Sequence, residues 1–419
     1  MKKYFVLILC LASALVYAQF PYEFVTLAHI DEDGGAKHSA VGLDGTIFVA
    51  NGGGGLLAYD YDGSSFTNIG SATGVNGRDV AIMADGTIIL ANNYDGLVAY
   101  DFNDSSFTQL ASVSDGGRAL KLAIGTDQTI FVANGDSGLW AYDFDGTAFT
   151  NTASIYDGGT AWGVDVGPDG TIFLANNDDG LRAYEFDGSS FNSTANIAEG
   201  VYPQVRGVAT RNDGIVFTAA YGDGMYAYNY DGASFTTLAN VGSSGGFAKG
   251  IDIGYDGTIF ISIDSDGLRA YEFDGSVITN TAYAEECSQT MGVTVGDDGT
   301  LFVCNDGDGF YAFEYTAYTG IEEELQKDVN MCNSSNFPNP FNPSTTISFE
   351  TSNLHENTRI DIFNMKGQKV RMYSHPELVE GSITWSGTDE NDHPVSSGVY
   401  FYKLTSGDQT ETKKMVLMK

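Results

Sequence analysis

One apolar phrase, bounded by an Asp-Gly turn before it and an Asn/Asp/Gly cluster after it, returns seven times from about residue 41. The copies read VGLDGTIFVANGG, IMADGTIILANNY, IGTDQTIFVANGD, VGPDGTIFLANND, TRNDGIVFTAAYG, IGYDGTIFISIDS and VGDDGTLFVCNDG. Their reference aspartates are Asp44, Asp85, Asp127, Asp169, Asp213, Asp256 and Asp298, spaced by 41, 42, 42, 44, 43 and 42 residues. The copy around Asp213 divides into four strand candidates, 205–210, 215–219, 225–230 and 234–240, designated a to d. Strands a and b are apolar almost throughout, as in Thr171-Ile172-Phe173-Leu174-Ala175, which is the pattern of a sheet covered on both faces. Asn176-Asn177-Asp178-Asp179-Gly180 between b and c, and Asp187-Gly188 between c and d, supply the positive φ angles of tight hairpins. A four-stranded unit repeating at this period predicts the blade of a β-propeller.

The two ends of the repeat region predict how the ring closes. The last copy stops after its c strand near residues 310–315, whereas the first is preceded by Tyr22-Glu23-Phe24-Val25-Thr26-Leu27, which matches the d-strand segment Ser65-Phe66-Thr67-Asn68-Ile69. Phe24 lies 20 residues before Asp44, and Phe66 lies 19 before Asp85. The N-terminal strand is therefore expected to complete the last blade, giving a closed seven-bladed propeller without exposed edges. Aromatics at fixed repeat positions are expected to fill the space between blades: Phe66, Phe107, Phe149, Phe191 and Phe235 on d, and Tyr59, Tyr100, Tyr142, Tyr184, Tyr228 and Tyr271 on c. Each such buried ring is worth roughly 3–5 kcal/mol against alanine.

Before the repeats, Lys2 and Lys3 precede an apolar run over 5–15 and the small-residue site Val16-Tyr17-Ala18. Residues 1–18 thus read as a secretory signal peptide, not a membrane anchor, and the mature chain works outside the cytoplasm. In that setting Cys287, before the last inner strand, and Cys304, at the end of the neighbouring b strand, are expected to form a disulfide; Cys332 has no evident partner. His29 and His38 are the only histidines of the repeat region, which argues against a zinc site.

Charge narrows the partners. Twenty Lys+Arg against 55 Asp+Glu give a formal net charge of −35, so nucleic acids and anionic membrane surfaces are repelled. Acidic b–c turns holding Asp136, Asp178, Asp266 and Asp308 are calcium candidates, although none completes a calcium loop with its sixth-place glycine and distal glutamate. Seven residues before each reference aspartate stand Lys37, Arg78, Leu120, Trp162, Arg206, Lys249 and Met291. Between Tyr22 and Thr319 there are only nine Lys+Arg, and four of them fall at this one place, where the inner strands begin. These side chains are expected to circle one mouth of the central channel. The reading preferred from sequence has each cation neutralised by loop carboxylates such as Asp31, Asp33 or Asp79; the sharper alternative is a partly basic ring with a tryptophan that receives an anionic or sugar-like ligand. The loops on the same face, 114–117, 199–203 and 242–246, vary most between copies, as binding loops on a repeated scaffold do. No nucleophile elbow, zinc-protease helix or phosphate loop occurs. Glu199, Glu285 and Glu286 break the repeat and are the carboxylates available for glycoside chemistry.

After residue 319 the composition changes. A linker, 320–336, leads to a module over 337–419 with strand candidates at 346–350, 358–363, 369–373, 382–385, 398–404 and 413–417. Its strings FPNPFNPSTTISFE, TRIDIFNMKGQKV, WSGTDE, SSGVYFYKL and KKMVLMK resemble the C-terminal sorting domain of type IX secretion substrates, a family similar to immunoglobulin-like domains of flagellar hook-capping proteins. That resemblance implies an immunoglobulin-like β-sandwich that engages the type IX secretion machinery of a Bacteroidetes-type bacterium, with the cargo then secreted or held at the cell surface. The GLxAYxFDG phrase of the repeats resembles LVIVD and NHL-like propellers, a likeness that carries the fold alone.

The expected protein is all-β: signal peptide 1–18, propeller 19–319, linker 320–336 and sorting domain 337–419. Its propeller is expected to be a binding or adhesion module for a glycan, peptide or protein. The alternatives are an extracellular polysaccharide hydrolase or lyase, in one version calcium-dependent, and a structural surface component.

Overall fold

The computed structural model describes residues 20–318, except 32, 201–203, 244, 285–286 and 288, together with 333–350, 358–374, 382–406 and 409–418. The signal peptide, the linker up to 332, Cys332, Glu285 and Glu286 lie outside the described residues. The chain divides into two compact units, Met1–Tyr318 and Thr319–Lys419.

In the first unit, four-stranded antiparallel sheets follow one another, seven among the described residues. The first contains His38–Val41, Ile47–Ala50, Leu56–Tyr61 and Phe66–Ala72 in that order. The fourth repeats it with Gly163–Val166, Ile172–Ala175, Leu181–Phe186 and Phe191–Ile197. The seventh has its first three strands from the end of the unit, Gly292–Val295, Leu301–Cys304 and Phe310–Ala317, and its fourth, Tyr22–Ile30, from the beginning. These two chain ends pair from Tyr22 opposite Ala317 to Ile30 opposite Phe310. Each innermost strand touches the next, and that of the seventh sheet touches that of the first. The result is a propeller-like ring in which the first strand of the fold covers what would otherwise be a bare edge.

The apolar b strands explain the packing. Ile47–Ala50 and Ile172–Ala175 are buried at every position, because both faces of each sheet are covered by neighbours. The core accordingly falls into clusters between adjacent sheets. Phe48 and Leu56 of the first sheet meet Ile88 and Leu90 of the second; Phe302 and Phe310 of the seventh meet Ile47 and Tyr59 of the first. The c-strand tyrosines are buried throughout, Tyr59 and Tyr184 at 1% exposure. The d-strand phenylalanines are only half-buried and tilt against aromatics of the c strand, as Phe107 does 4.7 Å from Phe102. A bulge recurs at the same place in the c–d pairs, for example between Ala58 and Tyr59 and between Ala183 and Tyr184.

The expected Cys287–Cys304 disulfide is not formed. Side chains alternate across a strand, so Leu301 and Val303 face the sixth sheet while Phe302 and Cys304 face the first. Cys287 packs in the former cluster and Cys304 in the latter. The seventh sheet separates them, and burial pushes the Cys304 thiol well above its ordinary range.

The second unit has a three-stranded sheet, ordered Asn333–Phe337, Thr345–Glu350, Ser382–Trp385, and a four-stranded one, ordered Lys369–Ser374, Arg359–Asn364, Gly398–Ser406, Gln409–Leu417. Phe341, Ile347, Ile360, Trp385, Tyr402 and Leu417 share its single core. Asn333–Phe337, whose first four residues are assigned from sequence to the linker, is the edge strand of the smaller sheet, because its backbone pairs with Thr346–Glu350.

Candidate functional site

The innermost strands begin at one end of the ring, and the residue just before or at each start is the one seven places before the reference aspartate. Lys37, Arg78, Leu120, Trp162, Arg206, Lys249 and Met291, one from each sheet, line a single cavity of about 180 Å³. The ring thus brings the sequence-predicted residues together. Glycine permits the close approach of strands beneath them: a Cβ on Gly163 or Gly207 would lie 2.6 or 2.7 Å from the carbonyl oxygen of Arg206 or Lys249.

The cations at this mouth differ in their partners. Lys37 is ion-paired with Asp306, and Lys249 with Asp264 at 3.0 Å, as the neutralisation reading expects. Arg78 and Arg206 have no carboxylate in salt-bridge contact among the described residues, and the Arg206 Nε is buried without a hydrogen-bond partner. Burial, joined at Arg78 by neighbouring Arg118, lowers the proton affinity of both guanidinium groups, which nevertheless stay charged at neutral pH.

Two further cations were missed by reading only every reference position. Arg118 comes in from the loop before the third inner strand. Its guanidinium carbon lies 5.7 Å from the Trp162 ring centroid and 5.2 Å from that of Tyr94, and its Nε is also buried without a partner. Lys121 lines the cavity one position beyond Leu120. Six of the nine Lys+Arg in 20–318 therefore gather at this mouth; the other three, Arg182, Arg211 and Arg269, are ion-paired elsewhere. The signal available in the sequence was the clustering of Arg118, Leu120 and Lys121 at one inner-strand start.

Arginine and aromatic side chains alternate across the mouth. Arg206 lies 4.4 Å from the Trp162 centroid and 4.0 Å from that of Tyr221. Tyr221 in turn stacks on Phe247, at 4.1 Å and 8° between planes. The run Tyr94, Arg118, Trp162, Arg206, Tyr221, Phe247 ends in two exposed rings, Tyr94 at 65% and Phe247 at 43%. Cation–π contacts of this kind hold guanidinium planes in place without neutralising them.

Next to the mouth, His38, Asp79 and Lys121 form a compact cluster. His38 Nδ1 lies 2.9 Å from Asp79 Oδ1, so the protonated Nδ1 donates to the carboxylate and Nε2 accepts from Lys121 Nζ at 2.6 Å. Asp79 also accepts from the Leu122 amide at 2.7 Å. Burial raises the Asp79 carboxyl, but Lys121 and His38 outweigh it and hold the group at about 2. Farther along the inner strands, Asp165 accepts from the Thr210 amide at 2.7 Å, and burial pushes its carboxyl up to about 6.

The loops above the mouth are fixed unevenly. Asn51, Asn134 and Asn176, each seven after its reference aspartate, donate to loop carbonyls of Asp33, Gly116 and Gly158 at 2.9, 2.9 and 2.6 Å. Asn92 and Asn305 accept from the amides of Asn76 and Gln289. At this place the fifth and sixth sheets carry Ala220 and Ile263, neither of which has a side-chain amide.

The other candidates are dispersed. Glu199 accepts from Thr237 Oγ1 at 2.7 Å. Asp136, Asp178, Asp266 and Asp308 belong to four different b–c turns; Asp136 accepts from Thr160, Asp266 pairs with Arg269, and Asp308 accepts from Asn305 and Tyr311. Among the described residues no group of three or more His, Cys, Asp or Glu is arranged to hold a metal ion. Nor, among them, is any helix long and apolar enough to cross a membrane.

Fold and mouth together define an all-β protein of propeller type with a separate C-terminal β module. Residues 335–418 match the secretion system C-terminal sorting domain family, so the C-terminal module is a sorting domain of that kind. Among solved structures, the chain is similar to PorZ, an essential bacterial surface component of the type IX secretion system of Porphyromonas gingivalis. Identity is 14% and the TM-score 0.52, over 91% of this chain and 59% of PorZ, so the chain spans less than two thirds of that protein's length. It is also similar to the WD40 β-propeller domain of Doa1, with 12% identity, TM-score 0.56, and 70% and 97% of the two chains covered. A third likeness is to virginiamycin B lyase from Staphylococcus aureus, at 11% identity and TM-score 0.58, covering 71% and 100%. At these identities the likenesses show a propeller fold and no more. No curated protein matches the chain significantly.

Proposed function

We propose that the chain is a closed seven-bladed propeller exported by its immunoglobulin-like sorting domain, which engages the type IX secretion machinery. Released or held at the cell surface, the propeller acts as a binding module for an extracellular ligand seated at the channel mouth. One observation carries this reading: Arg78, Arg118 and Arg206 converge there without a carboxylate in salt-bridge contact among the described residues, in a domain that is otherwise strongly acidic. Unneutralised cations held rigidly around a concavity are costly to keep unless an anion or a polar ligand uses them. The supporting context is the sorting-domain match and the likeness to a surface component of the same secretion system.

The test is retention of the secreted full chain on glycan and peptide arrays, beside an Arg78→Ala/Arg206→Ala variant of unchanged circular dichroism. Saturable retention lost in the variant supports the reading; retention unaffected by the variant removes the mouth as the site.

An enzymatic reading, hydrolase or lyase, has one favourable observation in the His38–Asp79–Lys121 cluster. Against it, Lys121 occupies the imidazole lone pair that a general base would need, and Glu199 is hydrogen-bonded to Thr237. Ligand turnover on the array, followed by mass spectrometry, would favour the enzyme instead.

A further inference from the structure

We infer that the mouth recognises one carboxylate at the end of an otherwise uncharged glycan, a uronate terminus in chemical terms. This rests on the binding reading above and specifies its ligand.

The aromatic faces come first. A neutral sugar would ordinarily pack its C–H face on an exposed tryptophan. Trp162 does not offer one, because Arg206 lies over its ring at 4.4 Å and Arg118 at 5.7 Å. What the two arginines bring to the mouth is guanidinium charge with no carboxylate in salt-bridge contact among the described residues; the Nε of each is itself buried and unsatisfied, so a ligand is met by the terminal N–H groups. Guanidinium edges held by stacking are fitted to a planar oxyanion, which they bind through paired hydrogen bonds.

Charge then sets how many anions the site takes. Residues 20–318 carry nine Lys+Arg against 41 Asp+Glu, so a polyanion threaded along the surface meets repulsion everywhere but here. Arg118 also lies near enough to Arg78 to help depress the Arg78 proton affinity, a repulsion that a single bound anion relieves. The cavity, about 180 Å³, accommodates one terminal unit and not a polymer segment.

The rest of the ligand is read from the ends of the aromatic run. Tyr94 and Phe247 are both markedly exposed, and they flank the cation pair from opposite sides. They suit the apolar faces of uncharged pyranose rings. Phe247 is held in place by its stack on Tyr221 and by its carbonyl, which accepts from the Asp264 amide at 3.0 Å, so it presents a fixed ring to the sugars that follow.

The test is calorimetric titration of the secreted full chain with a glucuronate-terminated disaccharide, its glucose-terminated counterpart, a long polyuronide, and a neutral peptide in acid and amide forms. The expected result is binding of the uronoside at least 10-fold tighter than the glucoside and the polyuronide, weakening as salt rises. Arg206→Gln should lose at least 10-fold and Arg206→Lys an intermediate amount, since a lysine keeps the charge without the planar fork. Arg211→Gln, ion-paired with Asp213 at the other ends of the inner strands, should change nothing. Equal binding of uronoside and glucoside, or tighter binding of the peptide acid, overturns the uronate assignment while the mouth remains a binding site. No titration response to any probe, with array retention still dependent on Arg206, overturns it in the same way. Loss of array retention altogether removes the binding reading itself.

Discussion

The guanidinium of Arg206, from the fifth sheet, lies 4.4 Å from the ring centroid of Trp162, from the fourth. Neither residue meets the other in sequence; the ring places their inner strands side by side. The contact fixes a charge that has no carboxylate in salt-bridge contact among the described residues, and so makes Trp162 a positioning residue for Arg206. Trp162→Leu keeps the site apolar but releases the guanidinium. Cation–π contacts of this kind are worth about 0.5–2 kcal/mol, so affinity for the mouth ligand should fall by about 2-fold to 30-fold while the thermal midpoint drops only slightly. Titration beside Trp162→Phe, which retains a ring face and should recover part of the loss, checks this.

Asp165 gives the propeller a pH dependence of known sign. An unfolded aspartate titrates at its ordinary value of 3.8, whereas burial pushes Asp165 up to about 6 in the folded state. The folded state therefore keeps the proton longer, and the stabilisation associated with that proton is lost as pH rises through 6. Asn keeps the acceptor for the Thr210 amide without the charge. Asp165→Asn should raise unfolding free energy by about 1 kcal/mol more at pH 7.5 than at pH 5, measured by denaturant titration at the two values.

Closure by the first strand has a direct mechanical consequence. Without residues 20–30, the strand Phe310–Ala317 keeps Leu301–Cys304 on one side but loses its outer partner along its length and presents a bare edge. The truncated chain should unfold at lower temperature with a broadened transition and should self-associate. Calorimetry and size-exclusion chromatography of the truncated and full chains test this; an unchanged, sharp transition would contradict the closure.

Cys287 and Cys304 should not be cross-linked to each other in the secreted chain, because they sit on opposite faces of the seventh sheet. Peptide mass spectrometry showing them cross-linked to each other would contradict the packing described.

The repeat made the architecture legible, since Asp-Gly turns and doubly apolar b strands leave few other ways to bury such sheets. The pairing of Tyr22–Ile30 with Phe310–Ala317 could be anticipated because Phe24 and Phe66 occupy equivalent places. The convergence of Lys37, Arg78, Trp162, Arg206 and Lys249 was legible for the same reason: a fixed offset in a ring is a fixed height on its axis. Pairing within that ring was not. Whether a cation meets Asp306 or only Trp162 depends on side-chain reach across sheets hundreds of residues apart, as Lys37 and Asp306 are. The cysteines misled because sequence places them near one another along the chain but does not tell which face each one takes. Arg118 escaped notice for standing two residues off the repeated position, and its role comes from reaching Trp162 across the boundary between sheets.

The central claim is that ligand is held at the end of the ring where Arg78, Arg118 and Arg206 converge. Hydrogen exchange of the secreted full chain, with and without the ligand selected on the arrays, tests it most directly. Slowed exchange in 76–80, 117–121, 160–163 and 204–207 is the predicted result. Slowing confined to the other ends of the inner strands, around the second cavity of about 360 Å³ lined by Arg211 and Tyr255, with the mouth unchanged, would contradict it.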